Sequence, residues 1–516
     1  MRNIESQEFG RIKVWQVPVP EGVFPMPGSI YTYSGRVAVP YRLAGEDEDH
    51  VHIATVNDDG SDWLEIFDGE CKMKPEGNGF RFMPFPDNTR ALIGDYVFEC
   101  EPDMDHADKK KSRMVPIHYP DEIKAMPHLW KVWSEIIISP DNEHMAWNGL
   151  GSAAGAYVGK LRRTDTEYVL DNVKTISGGE VQPDPDHPGC VIPVPTRGGE
   201  IKQFIRGGLS ISFVGTDRGP GDSMVQDLDS DRVYSVTKTP GYDETTIFSP
   251  DERLGVVMTT RFSPKTSSAF LGMIPRRGNV LTKGNIINQV YMYGVSGVRM
   301  GREGNIGPAL INIEKSQNEP GYLGVNLSDP AGEWVFYSPM SWHPSGKRLM
   351  WNEGQKKPIG NAMRITVAEL TEYAPGPAIP AASLPENIPY AMDGVDPRGG
   401  MSSASHMKIA GKHSGFAETT AEFGSLIKAK TVYEDFSDDG KSFLNGWESV
   451  SSPGMTTPGD TVYDAKMELI GEHTGEMEVH MTFRLPEDSW MTYITPDSHG
   501  FASYDGERAD IADMLG

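Results

Sequence analysis

The chain has 516 residues, 48 Lys and Arg against 73 Asp and Glu, and a formal charge of −25. Acidity on this scale repels phosphate backbones and anionic lipid, so neither nucleic acid nor a membrane surface is expected as a partner. With 38% hydrophobic residues the chain can build a core, which excludes a disordered class.

The N-terminal stretch MRNIESQEFGRIKVW lacks the apolar core of a signal peptide. No apolar run approaches the roughly 18 residues that span a bilayer. Two compartments stay open: cytoplasmic, or periplasmic or secreted if a leader has been removed. The segment DEDHVHIAT places His50 and His52 on one face of a strand, a spacing that can chelate a metal. Its acidic neighbours, Glu48 among them, favour a charge-balanced surface face instead, so no metal ligand is assigned. VNDDGSDW (56–63) has too few ordered ligands for a calcium loop. Cys71, Cys100 and Cys190 show neither CxxC nor Cys/His spacing; a single Cys71–Cys100 bridge is the one disulfide left open.

From residue 80 onwards one kind of hairpin recurs: an apolar run, a Pro-Asp turn and a second apolar run. It is seen in FRFMPFPDNTRALIGD (80–95), EIIISPDNEHMAWNG (135–149) and, more weakly, GEVQPDPDHPGCVIPV (179–194). It returns in TTIFSPDERLGVVMTT (245–260) and MTYITPDSHGFASYDG (491–506), and with variation in SPMSWHPSGKRLMWNEG (338–354), where Ser replaces the Asp, and VYEDFSDDGKSFLNGWE (432–448), where the turn is Ser-Asp-Asp-Gly. Proline presets φ at the turn, and the Asp side chain bonds backbone groups two residues on. The basic runs HADKKKSR (106–113) and IPRRGN (274–279) read as solvated loops. YGVSGVRMGREGNIGP (293–308) lacks the context and lysine of a phosphate-binding loop, so no nucleotide cofactor is expected. A Pro/Gly/Ser/Ala-rich stretch, 373–405, reads as a long loop, and 507–516 as a short tail.

The units IFSPDERLGVVMTT and SWHPSGKRLMWNEG, with VQDLDSDRVYSVT as third strand and turn, resemble the TolB-type (PD40) β-propeller repeats. The resemblance implies an all-β propeller of four-stranded blades around a channel, seven or eight blades over residues 1–516. An irregular array of β-sandwiches is the competing arrangement. The family's topology implies that the strand before each turn lines the channel, its first residues near one mouth. That directs attention to Trp133 and Glu135, to Asp243, Glu244 and Thr245, to Tyr337, Ser338 and His343, and to Tyr433 and Glu434. His118 and His128 precede a channel strand in Pro-rich loops, and His406 and His413 lie in a comparable segment. Arg299 is a cation for a substrate carboxylate.

The expected ligand is a polar small molecule or oligosaccharide at the channel mouth, with a divalent metal left open as cofactor. The favoured reaction is a lyase-type proton abstraction, with Tyr337, Tyr433, His118, His128, Glu135 and Glu244 as catalytic candidates and Arg299, Trp133, Asp243 and His343 for binding. The alternatives are a protein-binding scaffold and a hydrolase using Glu135 and Glu244. Propeller folds host all three, so the resemblance by itself selects none of them.

Overall fold

The computed structural model describes residues 1–47, 49–71, 82–120, 133–149, 155–178, 181–193, 197–215, 221–239, 242–263, 266–273, 306–330, 332–355, 363–395, 405–454, 457–487 and 492–515. The chain is nearly all-β. Six antiparallel sheets follow one another in sequence. Sheet 1 runs from Phe24–Pro25 to Leu64–Glu70, sheet 2 from Phe82–Pro84 to Arg113–His118, and sheet 3 from Trp133–Ile138 to Tyr168–Thr175. Sheet 4 runs from Glu200–Ile205 to Val233–Ser235 and sheet 5 from Asp243–Phe248 to Val325–Asn326. Sheet 6 takes Trp334–Trp342, Arg348–Gln355 and Met363–Leu370, then adds Gly10–Gln16 and Arg2–Ser6 from the N-terminus. Sheets 2 and 3 also meet edge to edge, through a short parallel pairing of Ile117 with Tyr168.

Burial explains why these strands are apolar on both faces. Alternate residues of one strand pack against different neighbours: Ile136 and Ile138 join sheet 2, while Ile137 joins sheet 4. In sheet 5, Val256 packs towards sheet 6 and Val257 towards sheet 4. A separate apolar cluster fills each interface between consecutive sheets, and the one containing Tyr31, Val39, Met350 and Val367 joins sheet 6 back to sheet 1. The innermost strands neighbour one another around the same ring. This is a propeller arrangement. Six such sheets are seen among the described residues, and the expected count of seven or eight is not confirmed.

Four Pro-containing turns are built alike. The N–H of Phe85, Ser139, Ser249 and His343 donates to the carbonyl five residues on, and the same residue's carbonyl accepts from the N–H three residues on. The fourth turn residue has positive φ: Asn88, Asn142, Glu252 and Gly346. Asp87, Asp141 and Asp251 each accept the backbone N–H two residues later, at 2.8, 2.9 and 3.3 Å, as the sequence implies. Sheets 1 and 4 turn without this motif, at Thr32–Arg36 and at the short 3-10 turn Arg206–Gly208.

Three expected repeats fall elsewhere. Residues 179–194 contain an isolated two-stranded hairpin, Val181–Pro183 with Val191–Pro193. The hairpins at 432–448 and 491–506 belong to one nine-stranded sheet running from His406–Ala410 to Glu507–Asp510. Its central strands reach 11 to 13 residues, twice blade length, and Met467, Met477, Val450 and Phe483 join the apolar cluster of sheets 5 and 6. The ring is therefore closed by the N-terminal hairpin on Met363–Leu370, not by pairing of the two chain ends. The tail expected at 507–516 begins as the last strand and ends in a 3-10 turn, Ile511–Met514. Cys71 and Cys100 are buried in the cluster between sheets 1 and 2 and are unbridged.

The described part of the long loop, residues 373–395, is an ordered strap. Gly376 N–H and the Tyr373 hydroxyl donate to Asp251 Oδ2 at 2.8 and 3.2 Å. Ile379 N–H then reaches Pro250 O, Ala382 N–H reaches Gly207 O, and Tyr390 donates to Asp227 O. Met392–Asp393 finally pairs with the outer strand of sheet 3. The strap thus crosses the turn-bearing face over sheets 5 and 4 and leaves it at sheet 3.

Candidate functional site

The first residues of the inner strands gather at one end of the ring, opposite the Pro turns. There Lys202 is fully buried, with its Nζ 2.9 Å from Glu200 Oε1 and 3.5 Å from Glu244 Oε1. The Tyr242 hydroxyl donates to Glu244 Oε2 at 3.2 Å. Beside it Arg261 Nη2 donates to Asp243 Oδ2 at 2.8 Å, both side chains 1% exposed or less, and Thr239 adds a second donor at 2.7 Å. Asp243 Oδ1 and the hydroxyls of Thr245 and Thr246 are buried with no hydrogen-bond partner among the described residues. Charges this far from water persist only when paired. The Lys202–Glu244 contact ties sheet 4 to sheet 5, and the Arg261–Asp243 pair braces the strand ends within sheet 5. Glu200 and Lys202 are absent from the residues named by sequence because sheet 4 has no Pro-Asp turn, Arg261 because it follows the second strand of its hairpin, and Tyr242 because it stands one residue before the strand start at Asp243.

The sequence candidates separate. Glu244 and Asp243 fall in this buried network. Tyr337 is half-buried on the inner strand of sheet 6, its ring 3.0 Å from where a Cβ on Gly354 would stand. Trp133 and Glu135 lie on the inner strand of sheet 3, and their side chains are outside the described set. His128 and Arg299 lie outside the described residues altogether. His118 ends the outer strand of sheet 2, with Nδ1 3.5 Å from Glu167, away from the inner strands. Tyr433 is a correction. It sits in the C-terminal sheet, where its hydroxyl and that of Tyr463 donate to the buried Glu448 at 2.7 and 2.8 Å. Burial and the Glu448 carboxylate push both phenols well up, so Tyr433 is a packed core residue. Its neighbour Glu434 is exposed on the same sheet. His406 pairs with Glu418 at 2.7 Å at that sheet's edge.

His343 belongs to a second place. On the turn-bearing face, between sheets 6 and 1, lies an open cleft of about 780 Å³ lined by Trp15, Arg36, Asp58, His343, Arg348 and Glu369 among others. The volume is within the roughly 300–1,000 Å³ typical of small-molecule sites. Arg348 donates to Asp58 Oδ2 at 2.9 Å and Glu369 Oε1 at 3.2 Å, and about a third of its side chain stays exposed. Asp58 Oδ2 also accepts from Tyr31, and its carbonyl accepts from the Trp15 indole at 2.8 Å, which fixes the ring. Arg36 donates to Thr55 and Asn57.

The tautomer of His343 follows from its contacts. Ser345 N–H donates to Nδ1 at 3.0 Å, so Nδ1 is an acceptor. Burial, then the charge of Arg348, lowers the imidazole pKa, and the ring is neutral at pH 7 with its proton on Nε2. That nitrogen lies against Gly35, where a Cβ would stand 2.3 Å from it. Gly35 has φ +91, so turn geometry and the close approach both call for glycine. His343 is therefore a hydrogen-bond donor and turn anchor, with no lone pair left to serve as a base.

No family model matches the chain, and no curated protein does. Solved structures similar to it include TolB from Acinetobacter baumannii, at 12% identity and TM-score 0.32, covering 65% of this chain and 64% of that one. They include an oligogalacturonate lyase in complex with manganese, at 10% identity and TM-score 0.37, covering 72% of this chain and 96% of that one. The β-propeller domain of the Trilobed protease from Pyrococcus furiosus matches at 7% identity and TM-score 0.28, over 84% of this chain and 96% of that one. The chain thus spans just under two thirds of the TolB length. Likeness at this level carries no argument about chemistry, and the sheet topology alone supports the fold class.

Proposed function

We propose that the chain binds a polar, polyhydroxylated small molecule of sugar size in the cleft between sheets 6 and 1. The observation that carries this reading is the lining. Guanidinium and imidazole donors (Arg36, Arg348, His343) face carboxylate acceptors (Asp58, Glu369) around a fixed indole, Trp15. Hydroxyl groups take both kinds of partner, and a sugar face stacks on an aromatic ring. An anionic sugar would be met by Arg348: burial works against its charge, but the Asp58 and Glu369 carboxylates outweigh burial and secure it.

The test is a calorimetric and thermal-shift screen with neutral sugars, uronates and their oligomers. Saturable binding to the native chain, lost in Trp15→Ala, is the expected result. A screen in which no sugar binds, or in which Trp15→Ala binds as well as wild type, overturns the reading and leaves a protein-binding scaffold.

A further inference from the structure

The outer strands of sheet 1 carry a cluster separate from both places. His52 is buried, its side chain 5% exposed, and each of its nitrogens faces a carboxylate. Nδ1 is 2.9 Å from Glu65 Oε1, while Nε2 is 3.0 and 3.1 Å from the two oxygens of Glu46. Glu65 is itself fixed by the Tyr41 hydroxyl at 3.0 Å and by Lys109. The Tyr41 ring stacks on the imidazole. His50 stands beside His52 with ring centroids 5.0 Å apart, and its Nε2 is 2.9 Å from Asp68.

A neutral imidazole has one N–H. If it donates to the firmly held Glu65, the lone pair on Nε2 points at both oxygens of Glu46, an arrangement that repels unless a cation lies between them. A second proton is one such cation. A metal ion is the other, and three further features favour it. One ligand atom from each of Glu46, His50 and His52 lies within 4.8 Å of the others. Both histidines carry a carboxylate on a ring nitrogen, Glu65 on His52 and Asp68 on His50, which is how metal-binding imidazoles are oriented. Glu46 and His50 are partly exposed, so an ion has a way in and solvent can complete its shell.

We propose that Glu46, His50 and His52 form a binding site for a divalent transition metal of the zinc class, with Glu65 and Asp68 orienting the two rings. Two imidazoles and one carboxylate suit zinc, cobalt or nickel rather than calcium or magnesium, which prefer oxygen alone. The ion would tie the loop carrying Glu46, whose carboxylate also accepts from Leu43 N–H at 3.0 Å, to the strand His50–Val56.

The test is metal binding to the full chain after stripping with chelator, followed by calorimetry with zinc and by visible absorption with cobalt(II). Calcium serves as the hard-ion control. Expected are one equivalent of zinc, a cobalt spectrum of low-coordinate N/O type, and weakening by about tenfold or more in both His50→Ala and Glu46→Gln. These two positions are partly exposed, so the variants are expected to fold, and a wild-type-like melting curve checks it. Absence of stoichiometric zinc binding to the wild type overturns the proposal and leaves a doubly protonated His52. Zinc binding that survives unchanged in both folded variants also overturns it, since the chain has 13 histidines and the ion would be elsewhere.

Discussion

The two ends of the ring use the same residue types to opposite effect. Between sheets 4 and 5, Lys202, Glu244, Arg261 and Asp243 are closed off from solvent and spend their charges on one another. Between sheets 6 and 1, Arg348, Asp58 and Glu369 make comparable pairs, yet they line an open cleft and keep part of their surface for a ligand. Exposure, not residue identity, separates a charge that holds two sheets together from a charge able to meet a ligand. The strap crosses the turn face over sheets 5 and 4, and none of its described residues lines the cleft.

The largest effect is expected at the closed end. Arg261→Leu leaves Asp243 buried without its guanidinium, which costs about 3–5 kcal/mol. Chemical denaturation of this variant should show the loss. A change below about 1 kcal/mol would mean that water reaches Asp243 and that the contrast between the ends is overstated.

A smaller loss is expected at the strap. Asp251→Ala removes the acceptor for Gly376 N–H, the Tyr373 hydroxyl and the turn's own Arg253 N–H, at about 1–3 kcal/mol. Limited proteolysis should then cut faster within 373–395 while the sheets stay intact. The same carboxylate gives a pH dependence. Burial works to raise its pKa, but hydrogen bonds from Ser249, Gly376, Arg253 and Tyr373 outweigh burial and lower it. A depressed carboxylate stabilises the fold fully above its unfolded value of about 4, and that contribution is lost as pH falls through the folded value. The strap should therefore become protease-sensitive in acid in the wild type, and Asp251→Asn should flatten that dependence.

The smallest stability change is expected at the open end. Arg348→Ala should cost no more than about 1 kcal/mol, because the side chain is partly solvated. Ligand affinity should fall by about tenfold or more, as expected when a charge-assisted hydrogen bond is lost. A large stability loss with unchanged affinity would reverse the assignment and make the cleft a structural joint.

Much of the fold was legible because its signals are local. Pro140-Asp141 and Pro250-Asp251 announce their turns by φ and by an Asp side chain reaching two residues on, and the structure repeats that geometry bond for bond. The same local signal misled at 432–448 and 491–506, since a hairpin reads alike in a blade and in a long meander. Outer strands of sheets 1 and 4 were legible in DEDHVHIAT and VQDLDSDRVYSVT, but their inner hairpins were missed because Thr32–Arg36 and Arg206–Gly208 turn by other chemistry. Among the site residues, His343 was found because it abuts a turn Pro, and its role as donor depends on Ser345 N–H and Arg348.

By itself the sequence determined an acidic, nearly all-β chain with both-face-apolar strands, Pro-Asp turns and one long proline-rich connection. Those properties rest on residues within a few positions of each other. Only the tertiary structure decided the number of described sheets, the closing of the ring by the N-terminal hairpin, the burial of Tyr433, and the cleft. The cleft joins Trp15 and Arg36 to His343, Arg348 and Glu369, more than 300 residues apart in sequence: Trp15 arrives by strand pairing with Met363–Leu370, and Arg36 because sheet 6 packs its apolar face on sheet 1. Contacts of that range are set by which hydrophobic faces cover one another, and no local pattern records them.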